Sequence, residues 1–160
     1  MLKIIKIVAL FFWVIAAQAQ TITATGGWSY TFGTVNEAGS NLSTTAVSSA
    51  INQTIIDFSG FSKNASFTVR VHKSDIDWNA SLVLSVVRTS NGTGGTSTTI
   101  SGGTTPIALT STAQVYFSGN VGNSPTRGIT GINNQYQITG QTVLIPAKTY
   151  TTNVVYTISN

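Results

Sequence analysis

Residues 146–160 read PAKTYTTNVVYTISN, and this stretch decides the fold. From Tyr150 onward the side chains alternate in character, which is the period of a β-strand with two different faces. Aromatic and β-branched residues suit such a half-buried strand, which would be about 27 Å long. We therefore predict a long strand at the C-terminal edge of the fold. Its apolar side chains cover either the domain's own core or a neighbouring subunit: Tyr150, Val154, Tyr156 and Ile158.

Residues 1–19 have the three parts of a signal peptide. Lys3 and Lys6 form a basic start, residues 7–16 are an apolar run, and Ala17-Gln18-Ala19 provides a small-x-small cleavage site. The apolar run is too short to span a bilayer, which takes about 20 residues. We therefore predict cleavage after Ala19 and a single mature domain over residues 20–160. This domain is expected to have no membrane span and to be secreted or held at the cell surface.

The charge of the mature chain argues against a nucleic-acid partner. Removal of Lys3 and Lys6 leaves six of the eight basic residues against four acidic ones, so the net charge falls from +4 to +2. The remaining basic residues are scattered, whereas binding to nucleic acid needs a clustered basic patch. We therefore expect no nucleic-acid binding.

The composition indicates one β-rich domain that is stabilised by packing alone. The chain has no cysteine, and charged residues make up 8% of it. Its solvated surface must then be covered mainly by Thr, Ser, Asn and Gly, which are poor helix formers, while Thr favours strands. A chain of this size buries about 70% of its unfolded surface, which is enough for a core without disulfides.

Alternating apolar residues and glycine-rich turns predict a succession of strands and no convincing helix. Residues 90–96, SNGTGGT, form the clearest turn, because Asn-Gly is the preferred pair of a tight hairpin. Residues 82–87 are apolar on both faces, which is typical of a central strand. Residues 20–27 read as a polar lead and residues 119–134 as a connection. We predict an all-β antiparallel sandwich with strands near residues 28–35, 53–58, 67–72, 82–87, 97–100, 107–110, 114–117, 136–145 and 150–158.

The densest cluster of functional groups is His72-Lys73-Ser74-Asp75-Ile76-Asp77-Trp78-Asn79, which contains the only histidine. Its possible roles are a general base with a carboxylate partner, a cation site, or a polar loop whose tryptophan covers the core. The cluster matches the start of an EF-hand loop, but Ala80 and Val86 stand where that loop needs Gly and Glu. The polar loop is favoured, and we predict no enzymatic activity, no metal and no cofactor. The residues that such a loop would offer to a ligand or cation are His72, Asp75, Asp77 and Trp78.

Aromatic side chains raise a second functional class, a secreted module that binds carbohydrate or another ligand. Exposed aromatic rings form stacking platforms in such modules, and seven side chains are candidates: Trp28, Tyr30, Trp78, Tyr116, Tyr136, Tyr150 and Tyr156. Alternation places Trp28 and Tyr30 on one face of a strand, where core packing is the competing interpretation. A glycan is therefore a candidate partner.

Three segments together resemble the spore coat U and fimbrial-subunit group of immunoglobulin-like export proteins. They are Phe32-Gly33-Thr34-Val35, the strand over residues 81–87, and Ile145-Pro146-Ala147-Lys148-Thr149-Tyr150 leading into residues 154–158. Members of that group commonly end in Pro-Ala-Gly-Thr-Tyr followed by an alternating strand. Lys148 stands in place of the glycine, and the characteristic cysteines are absent. The resemblance implies an immunoglobulin-like fold, a periplasmic chaperone, and partners that are related surface subunits or copies of the chain itself.

These observations predict an exported structural or adhesive subunit of a bacterial cell-surface filament, coat or extracellular matrix. Residues 20–27 offer only Ile22 and Ala24 as apolar side chains, which is too little for a donor strand that fills a neighbour's groove. We therefore expect assembly through strand edges, above all the edge of the terminal strand. The alternative is the secreted carbohydrate- or ligand-binding module.

Overall fold

The computed structural model describes residues 19–32, 46–142 and 144–160. These residues form ten β-strands and no helix, which confirms the all-β prediction. The strands are β1 (Thr21–Thr25), β2 (Val47–Ser48), β3 (Thr54–Ser59), β4 (Ser66–Asp77), β5 (Val83–Arg88), β6 (Thr99–Gly102), β7 (Ile107–Ala108), β8 (Gln114–Asn120), β9 (Ile129–Thr139) and β10 (Thr151–Ser159).

Several predicted features lie outside the described residues. They are the signal peptide up to residue 18, residues 33–35 of the first resembling segment, and Val143. Within residues 19–32, 46–142 and 144–160, the chain forms no helix that is long and apolar enough to cross a membrane.

The strands form two antiparallel sheets that share one core. The larger sheet has the order β1-β3-β9-β5-β7, with β2 pairing beside β3 on β9. The smaller sheet has the order β10-β4-β8-β6, so β10 lies at its edge as the sequence predicts. From β3 to β10 the chain changes sheet at every step, and among the ten described strands no two consecutive ones pair.

The predicted hairpin at residues 90–96 is therefore wrong. β5 before it lies in the larger sheet and β6 after it lies in the smaller one, so the segment crosses between sheets. Two isolated β-bridges attach this segment to other parts of the chain: Thr93 pairs with Thr130, and Thr96 pairs with Asn123. Gly92 has a φ of 66°, so the Asn-Gly pair does supply a left-handed turn, but that turn redirects the chain without closing a hairpin.

Buried Arg88 anchors the start of this crossing segment. Its Nε and Nη2 donate to the carbonyl oxygen of Gly102 at 3.0 and 2.8 Å, and its Nη1 donates to the carbonyl oxygen of Ser90 at 3.1 Å. The guanidinium also lies 5.7 Å from the ring centre of Phe117. Burial lowers the pKa of Arg88, and the carbonyl oxygens compensate for the water that the charge has lost.

An aromatic cluster occupies the middle of the core. The ring of Phe67 on β4 lies 4.8 Å from Phe58, 6.3 Å from Phe61 and 6.3 Å from Phe117, centre to centre. These rings come from both sheets and from the turn between β3 and β4. Large apolar side chains in mutual contact are the main source of stability in a domain without disulfides.

Strand β9 lies at the centre of the larger sheet, although residues 119–134 were predicted to be a connection. Its buried side chains alternate with half-buried ones, and Asn134 takes its place between Ile132 and Tyr136. A bulge near the start places Gly131 at a φ of 74°, and its N–H donates to Asp57 Oδ1 at 2.7 Å. The many Asn, Gly and Gln residues of this segment conceal its strand period.

A buried chain of hydrogen bonds joins the two sheets. Tyr116 on β8 donates its hydroxyl to Asn134 Oδ1 at 2.8 Å, and Asn134 Nδ2 donates to the carbonyl oxygen of Thr54 at 3.2 Å. Thr54 Oγ1 donates to the hydroxyl of Tyr136 at 3.0 Å, and that hydroxyl lies 3.1 Å from the hydroxyl of Tyr156 on β10. A satisfied polar network of this kind fixes how one sheet lies on the other, because any slip would leave buried groups unpaired.

The first strand begins earlier than predicted. β1 covers Thr21–Thr25 within the predicted polar lead, whereas residues 28–32 form no strand. Gly26 has a φ of 111°, and a Cβ there would lie 2.2 Å from the carbonyl oxygen of Gln53. The chain therefore leaves the sheet at Gly26, and the aromatic residues that follow are placed by packing instead of by strand pairing.

Candidate functional site: the terminal strand and the aromatic groove

The inner face of β10 packs on the domain's own core. Tyr156 is buried, and Tyr150, Val154 and Ile158 are half-buried against the same cluster. Antiparallel pairing with β4 from Thr151 to Ser159 fixes this face inward. The sequence left open whether these four side chains contact the domain's own core or a neighbouring subunit. In the structure they pack on the domain's own core.

The free side of β10 is an unprotected strand edge. No described strand pairs with β10 on the side opposite β4, and none of its residues is charged or proline. The register shift near Thr151 places the extra residue, Ile76, in β4, so β10 itself continues without a bulge. Proteins usually protect edge strands with charges, prolines or bulges. β10 lacks all three, and among the described residues its backbone has no strand partner on the side opposite β4, although β1 lies in contact with it.

A groove of about 890 Å³ lies between β10 and the larger sheet. It is lined by side chains of β3, β5 and β9, by residues 24 and 26–32, and by residues 147–154 and 156. Seven aromatic side chains contribute to it: Trp28, Tyr30, Phe32, Trp78, Tyr136, Tyr150 and Tyr156. Six of these were candidates for an aromatic platform, whereas Phe32 was not among them.

The rings of the groove form a row that runs from the core to solvent. Trp28 stacks on Tyr136 with ring centres 6.4 Å apart and planes 13° apart. Tyr30 lies 6.0 Å from Trp28, and Phe32 meets Tyr30 edge-on at 5.2 Å. Tyr30 is 42% exposed, so this ring within the row is open to a ligand, whereas Phe32 beyond it is half-buried against the core. Such a row offers flat apolar faces on which a sugar ring or another flat group can stack.

Polar groups adjoin the groove next to Tyr150. The Tyr150 hydroxyl donates to the carbonyl oxygen of Pro146 at 2.7 Å, and Lys148 Nζ lies 5.2 Å from the Tyr150 ring centre. Lys148 also pairs with Asp77 at 2.7 and 2.9 Å, and this hydrogen bonding raises the pKa of the lysine. The groove therefore combines aromatic faces with a paired charge beside it.

Tyr116 does not belong to the groove, contrary to its place among the platform candidates. A bulge in β8, between the partners of Val69 and Arg70, makes Tyr116 the extra residue of that strand. Tyr116 and Phe117 consequently both turn inward, and Tyr116 is only 2% exposed. Strict alternation would have put one of the two outside.

The cluster from His72 to Asp77 lies on a strand, as predicted for His72, so the predicted polar loop is wrong for residues 73–77. β4 extends to Asp77 because β10 pairs with it almost to its end, with Val155 opposite His72 and Thr151 opposite Asp77. His72 Nδ1 is buried and has no hydrogen-bond partner among the described residues. Trp78 follows the strand, is half-buried against the core, and donates Nε1–H to the carbonyl oxygen of Leu82 at 2.8 Å.

The carboxylates of this cluster are engaged by neighbouring side chains. Asp75 accepts hydrogen bonds from Lys73 and, at 2.8 Å, from Thr152, and the bond from Lys73 is the main cause of its lowered pKa. Asp77 is paired with Lys148. No group of three or more His, Cys, Asp or Glu side chains that could hold a metal occurs in the part of the chain that the structure describes.

Comparison with known proteins finds no match: no family model matches the chain, and neither a curated protein nor a solved structure does.

Proposed function

We propose that the chain is an exported structural or adhesive subunit of a cell-surface filament, coat or matrix, and that it assembles through strand edges. The observation that carries this proposal is the free side of β10. It is nine residues long, uncharged and without bulge, and its apolar side chains are already committed to the core. What remains available on β10 is its backbone, whose natural partner is another strand.

The signal peptide over residues 1–19 and an immunoglobulin-like type of β-sandwich belong to the same proposal. Two antiparallel sheets around one core, with connections that cross between them, support the sandwich. The low charge of the sequence and its resemblance to spore coat U and fimbrial subunits support the surface role.

The first test is the association state of the mature chain, residues 20–160. We expect size-exclusion chromatography to show species larger than the monomer, and negative-stain microscopy to show filaments or extended assemblies. A monomer at every concentration would contradict the proposal.

A lysine on the free strand should weaken this assembly. Val155 lies on the outer face of β10, and Val155→Lys would put a charge beside any strand that pairs there. The matched control is Val115→Lys on β8, an inner strand of the same sheet, where valine is 51% exposed. We expect Val155→Lys to shift the protein toward monomer with an unchanged circular dichroism spectrum, while Val115→Lys assembles normally. Equal effects of both variants would favour stacking of sheet faces over pairing of edges.

The aromatic groove favours a second candidate function, the binding of a glycan or a similar ligand. The row of rings at Trp28, Tyr30 and Phe32, with Tyr30 open to solvent, is the observation that supports it.

A glycan array probes this second function directly. We expect a ligand found on the array to bind at least tenfold less tightly to Tyr30→Ala, which is a loss of about 1.4 kcal/mol, because the exposed stacking face is removed. Val115→Ala, away from the groove, should bind as the parent does. Equal binding by both variants would exclude the groove, and a parent protein that binds no glycan would exclude this ligand class.

A further inference from the structure

The outer face of β10 has the same chemical character when the strand is read in either direction. Its outer face has a valine at the centre and two polar residues on each side: Thr151, Asn153, Val155, Thr157 and Ser159. Its inner face has two apolar residues around the centre, followed by a threonine at one end and an isoleucine at the other: Thr152, Val154, Tyr156 and Ile158. The pattern is centred on Val155.

We propose that β10 pairs antiparallel with β10 of a second copy, about a two-fold axis at Val155. The two four-stranded smaller sheets then join into one continuous sheet of eight strands. This inference rests on the proposed function, since it names the partner and the register of edge assembly. A two-fold interface of this kind uses the same surface on both copies and requires that the surface be complementary to itself.

β10 meets that requirement on its outer face. In the two-fold register Thr151 lies opposite Ser159, which pairs two hydroxyl groups. Asn153 lies opposite Thr157, and Val155 lies opposite its own copy. Hydroxyl pairs and β-branched pairs directly across an antiparallel ladder are stabilising, and no like charges meet because β10 has none.

The inner face also favours this register. Val154 lies opposite Tyr156, and Thr152 lies opposite Ile158, so the apolar row of one copy continues into that of the other. Because these side chains already face the core of their own domain, pairing extends two existing cores and exposes no new apolar surface. The backbone of both strands gains the partners that it lacks at the edge.

Other registers are less complete. A slip of one residue would place inner-face residues of one copy opposite outer-face residues of the other, so that the two cores would lie on opposite sides of the joined sheet. An axis at Val154 leaves Ile158 and Ser159 unpaired and puts Asn153 opposite Val155. An axis at Tyr156 leaves Thr151 and Thr152 unpaired. Only the axis at Val155 pairs all nine residues of the strand.

Cysteine cross-linking of the mature chain tests the register, and the natural sequence has no cysteine to interfere. Two residues can form a disulfide when their Cα atoms are within about 7 Å of each other. Val155→Cys should therefore cross-link to its own copy under mild oxidation. Asn153→Cys alone should not, because the two copies of residue 153 would be about 14 Å apart along the strands. Thr157→Cys alone should not either, but a mixture of Asn153→Cys and Thr157→Cys should give a cross-linked pair.

The outcomes separate the register from the function that underlies it. Cross-linking of Val155→Cys and of the mixed pair, but of neither other single variant, supports the two-fold pairing. Large assemblies in which Val155→Cys stays uncross-linked overturn this pairing and leave edge assembly through another register or strand. A protein that remains monomeric, with no cross-linking in any variant, overturns both proposals. A circular dichroism spectrum for each variant checks that it is folded.

Discussion

Phe67→Ala is expected to lower the free energy of unfolding by about 3 to 5 kcal/mol. The Phe67 side chain is 1% exposed and touches aromatic rings from both sheets, so its removal leaves a cavity that the surrounding strands cannot close. Because a domain of this size is stable by only about 5 to 15 kcal/mol, the loss is a large part of the total. Urea unfolding of residues 20–160, followed by tryptophan fluorescence, measures it.

Two further variants guard against an ambiguous result. Phe67→Leu keeps most of the buried apolar surface and should lose clearly less stability than alanine, so it remains measurable even if Phe67→Ala does not fold. Val115→Ala, on the exposed face of β8, should change the free energy by less than about 1 kcal/mol. A loss at Phe67 no larger than that at Val115 would refute the central position of the aromatic cluster.

Alkaline pH is expected to unfold the domain through two buried tyrosines. Burial raises the pKa of Tyr116 and of Tyr156, and nearby Tyr136 raises both further. The unfolded chain ionises its tyrosines near pH 10, while the folded chain keeps these two protonated. Stability is therefore fully present below about pH 10 and falls above it, by about 1.4 kcal/mol per pH unit for each of the two. Urea unfolding at a series of pH values from about 8 to about 11.5 gives the slope.

The matched variants are Tyr116→Phe and Tyr156→Phe. Each also removes a hydroxyl from the buried hydrogen-bond chain, so the slope with pH is compared and not the absolute stability. Each variant should reduce the alkaline slope by about 1.4 kcal/mol per pH unit. An unchanged slope in both would show that these hydroxyls ionise as readily in the folded chain as in the unfolded one.

The sequence was informative wherever burial follows simple alternation. β3, β5, β10 and the first half of β4 were predicted within a few residues because large apolar side chains mark one face of each. β9 was predicted only at its end, since the strand predicted over residues 136–145 shares residues 136–139 with it, and the polarity of Asn134 made the preceding residues look like a connection. Only the structure reveals the partners that make it a core residue, Tyr116 and the carbonyl oxygen of Thr54. The shared spacing of Ile132, Asn134 and Tyr136 was the signal available in the sequence.

The sequence predicted most of the aromatic residues of the candidate site, but it did not predict that they lie together in one groove. The aromatic candidates were visible in composition, yet their convergence depends on which strands are neighbours. Trp28 meets Tyr136 because the chain leaves the sheet at Gly26, and Tyr116 is withdrawn by a one-residue bulge. Bulges and long-range pairing depend on three-dimensional context, which a local pattern does not contain.

The change of sheet at every step from β3 to β10 means that the paired strands of this fold are separated in the sequence. Among the ten described strands none pairs with its neighbour in sequence, so every strand pair closes a loop that contains at least one other strand. β9, the centre of one sheet, and β10, the partner of β4, are the last two of the described strands to be synthesised. A chain that lacks β9 and β10 can therefore form separate strand pairs such as β1–β3, but it can complete neither sheet.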